Sequence, residues 1–187
     1  LNGLNAALGV LKKYVPEKTG LFILRSEINE EDFLNDNFMN DMLSTAENIN
    51  ELERRIIALH SQQSRCNTEI LSLKPWESLD LPLELNYTQK AAVILGTTPA
   101  VYAVADMINP LANAAETAEL MQVYSDREQN YILIICHKDE EDSVLEALKA
   151  FAFSKTSFKD KFGTPSENIS ALNSKIAEDQ KTIDSLV

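Results

Sequence analysis

Two histidines and two cysteines are the side chains of this sequence best suited to bind a metal or act as a nucleophile. His60 lies six residues before Cys66, and His137 directly follows Cys136. Zinc sites and thiol–imidazole catalysis need several such groups at one point, usually marked by paired ligands at close spacing. The sequence has no paired thiols, and two cysteines are too few for a disulfide framework. We therefore predict no metal site, no cofactor-binding residue and no catalytic residue, and we expect a non-enzyme from a reducing compartment.

Charged residues suggest two further sites, and both have a simpler interpretation. The acidic run from Asp139 to Asp142 could bind a cation, but carboxylates at the start of a helix are also favoured by the helix dipole, and we adopt that explanation. Arg127 is the only arginine of its region, too little for the arginine cradle of an acylphosphatase-like enzyme. The five glycines lie at least six positions apart, which excludes the Gly-rich phosphate loops.

The net charge limits the kind of partner. The chain has 17 Lys and Arg against 29 Asp and Glu, a net charge of −12 over 187 residues, while 44% of it is hydrophobic. This composition is typical of a folded domain, and its negative charge repels nucleic acids and anionic membrane surfaces. The longest apolar run, near Tyr131 to Cys136, is far shorter than the roughly 20 residues of a membrane-spanning helix. We expect protein partners, no nucleic acid, and no direct membrane insertion by this piece of a longer protein.

A long helix is predicted between residues 38 and 74, which contain neither proline nor glycine. Side chains at two positions of a seven-residue repeat are mostly apolar there, as in a coiled coil. One position holds Met42, Ile49, Ile56, Gln63 and Ile70, and the other holds Thr45, Leu52, Leu59, Cys66 and Leu73. Pro75 disfavours a helical conformation of Lys74, so the helix should end at that point.

A second heptad segment follows near the C-terminus. Its two seam positions hold Ile169, Ile176 and Ile183, and Leu172, Asp179 and Leu186. Thr164, Pro165 and Glu167 predict the start of this helix, because they match a capping box with proline in the first turn. Two narrow apolar seams separated by a folded insert can stabilise each other by running antiparallel. The polar residues Gln63 and Asp179 at seam positions are consistent with a register device, a flexible point, or a seam that frays or meets another helix.

The segment between these helices predicts a compact lobe with the order βαββαβ, the split ferredoxin-like plan. The predicted strands are Lys90–Thr97, Leu120–Ser125, Tyr131–His137 and Phe153–Phe158, and the predicted helices are Pro99–Ile108 and Asp139–Phe151. The stretch Asn109–Glu119 is either helix or loop. An RNA-recognition module of the same plan needs exposed aromatic residues on its central strands and basic flanks, whereas Tyr131 is the only aromatic residue of the third strand.

Three stretches together resemble a known family. They are ELERRIIALHSQQSRCNTEILSLKPWESLDLPL (Glu51–Leu83), ILGTTP (Ile94–Pro99), and the region from HKDEEDSVLEALKAFAF to GTPSENI (His137–Ile169), with LKKYVPEKTGLF (Leu11–Phe22) in support. In order and spacing they look like the cytoplasmic N-terminal region of subunit I, also called subunit a, of the V-type and A-type rotary ATPases.

This resemblance implies a stator arm on the cytoplasmic face of the membrane, as part of an integral membrane subunit of a proton- or sodium-translocating ATPase or ATP synthase. In that family an antiparallel coiled coil joins a proximal lobe to a distal α/β lobe, which binds the peripheral-stalk heterodimer, and other V-ATPase subunits are further partners. The ion-translocating residues belong to a separate membrane half, so no catalytic or transport residue carries over to this chain.

The expected fold class is therefore α+β, an antiparallel two-helix coiled coil carrying a βαββαβ ferredoxin-like lobe at its tip. Its predicted parts are a helical remnant of the proximal region (1–37), the outgoing helix (38–75), the distal lobe (86–160) and the returning helix (164–187). Within the first part, Leu1–Tyr14 should be helical, Pro16–Gly20 should break that helix, and Asn29 should begin another.

Two other classes of protein have similar parts. One is an arm-and-hinge coiled-coil interaction protein with a dimerising tip domain, which would self-associate through sheet edges, or a tRNA-binding arm, which would need a basic tip. The other is a small-molecule sensor, since ferredoxin-like lobes often bind ligands at paired interfaces. Light scattering, a salt-dependent nucleic-acid binding assay and thermal shifts with a metabolite panel discriminate among these possibilities.

Overall fold

The computed structural model describes residues 2–15 and 36–187, which form helices and one antiparallel sheet. The helices are α1 (Asn2–Tyr14), α2 (Asp36–Leu73), α3 (Val104–Ala114), α4 (Glu141–Leu148) and α5 (Pro165–Leu186). The strands are β1 (Ala91–Pro99), β2 (Glu119–Ser125), β3 (Gln129–His137) and β4 (Ser154–Lys155). The break predicted at Pro16–Gly20 and the helix start predicted at Asn29 lie outside the described residues.

Backbone contacts divide the chain into two compact units. The first contains the described residues up to Arg65 together with Ile176–Val187, and the second is Cys66–Lys175. In the first unit α1 lies on α2, where the Asn50 side chain donates to the Gly3 carbonyl at 2.8 Å and Lys13 pairs with Glu53 at 2.9 Å. Tyr14 donates to the other Glu53 oxygen at 3.0 Å. These contacts and the burial of Ala7 hold the short helix α1 in place.

The ends of the long helices form where the sequence predicts them. Helix α2 ends at Leu73, and a 3₁₀ turn with Pro75 at its centre follows it directly. At the start of α5 the Glu167 amide donates to the Thr164 hydroxyl at 3.2 Å, and the Thr164 amide donates to the Glu167 carboxylate at 2.8 Å. This reciprocal pair is the predicted capping box, which satisfies two amides that the helix itself leaves free.

The second unit contains the sheet, whose strands lie in the order β2-β3-β1-β4 with every neighbouring pair antiparallel. Helix α3 joins β1 to β2, a tight hairpin joins β2 to β3, and α4 joins β3 to β4. The long central pair aligns Ala91 with His137 and Pro99 with Gln129. Strand β2 carries a bulge between Gln122 and Tyr124.

Three predicted elements need correction. The helix predicted at Pro99–Ile108 begins only at Val104, because Pro99 still belongs to β1 and the Tyr102 amide closes a turn on the Pro99 carbonyl. The undecided stretch after Ile108 continues that helix to Ala114, with Pro110 inside it. The helix predicted at Asp139–Phe151 is α4 flanked by two 3₁₀ turns. The last strand, predicted at Phe153–Phe158, is only Ser154–Lys155, and Phe158 beyond it is partly buried against the cluster of Trp76, Val93 and Leu133.

One face of the sheet packs against α3 and α4. Alternate residues of β1 and β3 point to this face, as a period of two requires. The buried members of this cluster are Ala92, Ile94, Ile132, Ile134 and Cys136 from the strands, Met107, Leu111 and Ala115 from the α3 region, and Val144 and Leu148 from α4. They form the main hydrophobic core of the second unit.

The opposite face is covered by the segment Trp76–Leu85, which is mostly irregular. Trp76 is only 1% exposed, and its ring meets Tyr131 and Phe158 edge-on at centroid distances of 5.5 Å and 5.9 Å. Val93 and Leu133, which alternate with the residues of the helix-covered face, are buried beneath it. Both faces of the sheet are therefore shielded from solvent over most of their central strands.

Candidate functional site

Each of the two histidines and two cysteines has its own local contacts. His60 is exposed and contacts the Gln63 side chain at 3.3 Å, while His137 accepts from the Asp139 amide at 3.4 Å. Cys66 and Cys136 are buried and unbonded to each other, and burial raises the pKa of the Cys136 thiol. Within residues 2–15 and 36–187, no three His, Cys, Asp or Glu side chains are placed to hold a metal ion.

The acidic run Asp139–Asp142 is occupied by structural contacts. Glu140 accepts from the Thr117 hydroxyl and, at 3.1 Å, from the Glu116 amide, and these bonds lower the pKa of its carboxyl group. Glu141 pairs with Lys155 at 2.9 Å. Glu141 and Asp142 also stand in the first turn of α4, where the helix dipole favours negative charge. The carboxylates thus tie neighbouring segments together and do not converge on one point.

The hairpin turn that contains Arg127 is organised by a carboxylate. Asp126 accepts from the amides of Glu128 and Gln129, both at 2.8 Å, and from the Tyr131 hydroxyl at 3.2 Å. The two amide bonds are the main reason why the pKa of Asp126 is lowered. Tyr131, the aromatic residue considered for base stacking, packs against Trp76 on the covered face. This arrangement differs from the open aromatic face by which an RNA-recognition module stacks bases.

Exposed apolar side chains are the remaining surface feature of the second unit. They include Val101 (84% exposed), Ile108 (53%) and Met121 (52%), which lie after β1, on α3 and on β2. Single exposed apolar residues are common, but protein interfaces are built from such positions once they are covered. No helix in the described part of the chain is both long and apolar enough to cross a bilayer.

The first unit has an apolar groove of about 660 Å³ between α1 and α2. Its lining includes Leu4, Leu8, Leu11, Phe38, Met42 and Ile49. Asp41 is its one charged lining residue among those described. The lining residues that the structure describes offer mainly hydrophobic contact. Met42, predicted at a seam position of the long helix, is 43% exposed here, and Leu52 is 39% exposed.

A polar layer lies between α2 and α5 within the first unit. Asp179 is 7% exposed, and both of its carboxylate oxygens accept from the Gln62 side-chain nitrogen, at 2.9 Å and 2.8 Å. Gln63 donates to the Ile176 carbonyl and to the Gln180 side chain, both at 3.3 Å. The heptad pattern identified Gln63 and Asp179 but missed Gln62, because Gln62 lies one position before the predicted seam. A scan for polar neighbours of seam positions would have found it.

Comparison with known proteins shows a similarity of fold. No family model and no curated protein match the sequence. Among solved structures, a match is the crystal structure of the cytoplasmic N-terminal domain of subunit I, homolog of subunit a, of V-ATPase, with a TM-score of 0.54 and 11% sequence identity. The match covers 99% of this chain and 60% of that one, so the chain spans about three fifths of that domain's length. The shared feature is the mixed architecture of helices and an antiparallel sheet.

Proposed function

We propose that this chain is part of the cytoplasmic stator arm of a rotary, proton- or sodium-translocating V-type ATPase or ATP synthase. The observation that carries the proposal is the likeness of fold to the subunit I domain, which extends over 99% of the chain. The sequence resembles the same family in the order and spacing of Glu51–Leu83, Ile94–Pro99 and His137–Ile169. In this role the arm links the membrane sector to the peripheral stalk and carries no catalytic residue.

The arm itself is proposed to be an antiparallel coiled coil of residues 38–75 and 164–187. In the first unit Gln63 contacts Ile176 and Gln180, and Ile56 lines a cleft together with Leu186. Residue numbers therefore rise along one helix as they fall along the other, as in an antiparallel pair. In the second unit Leu73 and Ile169 belong to one buried cluster. These contacts support a paired arm, which gives reach and bending stiffness with few residues.

Residues 86–160 are proposed to be the distal lobe, of the ferredoxin-like type. The strand order β2-β3-β1-β4 and the helices α3 and α4 after β1 and β3 support this assignment. Residues 1–37 would then belong to the proximal region. The lobe would dock the peripheral-stalk heterodimer, with other V-ATPase subunits as further partners, on the cytoplasmic side of the membrane.

Calorimetric titration of the 187-residue chain with the peripheral-stalk heterodimer tests this proposal. We expect weak binding, in the micromolar range, because only one of several contacts of the complete complex is present. Absence of binding at high micromolar concentration would contradict it. If the chain instead self-associates in light scattering and ignores the heterodimer, the arm-and-hinge alternative is favoured.

Surface variants show which unit binds. Val101→Asp, Ile108→Asp and Met121→Asp each place a charge on a different exposed apolar position of the second unit, and at least one should weaken binding. Leu8→Asp is the matched control, because Leu8 is 54% exposed but belongs to the first unit. If Leu8→Asp alone weakens binding, the docking role of the distal lobe is wrong.

A further inference from the structure

The polar layer of Gln62, Gln63 and Asp179 interrupts a seam whose other positions are mostly apolar. On one side of it in the first unit lie Ile56 and Ile183, which are 3% and 5% exposed. Asp179 is nearly as buried as these isoleucines, yet its partner is the neutral amide of Gln62. Asp179 takes part in none of the ion pairs found among the described residues.

A buried carboxylate without a cation contributes little to helix pairing. Its hydrogen bonds replace hydration that it would recover on exposure, so the desolvation penalty is only partly offset. Exposing Ile56 or Ile183 instead loses the free energy of hydrophobic burial, and no recovered hydration offsets that loss. Local separation of α2 from α5 is therefore easier at the polar layer than at the aliphatic positions beside it.

We propose that this layer is a soft joint in the helix pair, where α2 and α5 part and admit water before the neighbouring aliphatic positions do. The joint has a defined position, because the side chains of Gln62, Gln63, Asp179 and Gln180 and the Ile176 carbonyl meet within about one turn of each helix. The inference concerns the local mechanics of the seam and does not depend on the stator assignment.

Amide hydrogen exchange of the complete chain tests the proposal. Helices normally fray from their ends, so an ordinary α2, whose midpoint lies near residue 55, should lose protection steadily from residues 52–58 through 59–65 to 67–73. We expect the reverse around residues 59–65 of α2, which should exchange about tenfold faster than residues 52–58 and 67–73, the factor given by a difference of about 1.4 kcal/mol in opening free energy. A steady fall in protection from residues 52–58 to 67–73, uniform protection, or a maximum at residues 59–65 would overturn the proposal.

A double variant, Gln62→Leu with Asp179→Leu, supplies the second measurement. Replacing a buried polar pair by apolar residues of similar size is often stabilising, so exchange at residues 59–65 should slow about tenfold while residues 67–73 stay unchanged. Asp179→Asn retains an acceptor for Gln62 but removes the buried charge, so exchange at residues 59–65 should slow only in part, to a rate between those of the parent and the double variant. Ser61→Ala, an exposed position on the same turn, controls for substitution alone and should keep the fast exchange of the parent. Fast exchange that persists in a folded double-leucine variant would overturn the proposal.

Discussion

The two faces of the sheet are buried by different means. One face is covered by α3 and α4, and the buried residues of each helix recur at helical spacing. The other is covered by Trp76–Leu85, where one large aromatic residue occupies the centre and leucines surround it. An irregular segment can therefore cover one face of a sheet without a helix or a second sheet. In that case a large share of the packing depends on a single side chain.

The strongest test of this difference is Trp76→Ala. We expect a loss of about 3–5 kcal/mol in the free energy of unfolding, because the change leaves a cavity and removes two edge-on ring contacts. Urea denaturation followed by far-ultraviolet circular dichroism measures it. Leu71→Ala is the control, since Leu71 is 72% exposed and its loss should change stability by no more than about 0.5 kcal/mol. If the two variants were equally stable, the irregular segment would not be anchored by Trp76.

Leu148→Ala probes the helix-covered face in the same assay. Leu148 is 1% exposed in the cluster between α4 and the sheet, so its truncation should cost about 2–5 kcal/mol. We expect a smaller loss than for Trp76→Ala, because ten buried side chains share the packing of this face. A larger loss for Leu148→Ala would reverse the comparison between the faces.

Gly96→Ala tests how closely β1 packs against Phe153 and Ser154 at the start of β4. A Cβ at this position would lie 2.2 Å from two ring atoms of Phe153 and 2.6 Å from the Ser154 carbonyl oxygen. We expect a cost of about 1–3 kcal/mol from overpacking, measured by urea denaturation. Gly9→Ala on α1 is the matched control, because among the described residues the added Cβ has no heavy atom within 4 Å other than those of its chain neighbours and of the surrounding α1 backbone. That control should be neutral or stabilising, and equal destabilisation of both would refute the steric explanation.

Glu140→Gln should have the smallest effect, and one that depends on pH. Hydrogen bonds from Thr117 and Glu116 lower the pKa of the Glu140 carboxyl in the folded state. Its contribution to stability is therefore present above the ordinary glutamate pKa of about 4.3 and is lost as the pH falls through the lower, folded value. Unfolding of the parent and the variant should differ at pH 6 and converge toward pH 3. A difference that persists unchanged at pH 3 would contradict this assignment.

Much of the fold follows from periodic patterns in the sequence. Helices α2 and α5 are predicted by the seven-residue repeat that includes Ile56 and Ile183. The start of α5 is predicted by the capping box of Thr164 and Glu167. Both signals depend on residues close together in the chain. The apolar, β-rich runs AAVILG and YILIICH predict β1 and β3 to within two residues at each end. The tight turn after Pro99 was missed, because an apolar run does not reveal where a strand ends and a helix begins.

The cover of the second sheet face could not be predicted in this way. Trp76 and the leucines after it follow neither a helical nor a strand period, and their burial depends on where the chain returns in space. The same limit applies to the partners of charged groups. The acidic run was visible in the sequence, but the bond between Glu140 and Thr117 joins residues far apart in the chain. The heptad spacing identifies Gln63 and Asp179. The contact between Gln62 and Asp179 depends on how α2 is rotated about its axis relative to α5, which the heptad pattern does not specify.

The burial of Trp76 also has a spectroscopic consequence, because it is the only tryptophan of the chain. Its intrinsic fluorescence reports on one face of one sheet, without interference from other indoles. The emission should be blue-shifted and resistant to quenching by acrylamide while the segment Trp76–Leu85 covers that face. It should shift to longer wavelengths when the segment separates from the sheet. Binding events that disturb the segment would then be visible without any attached label.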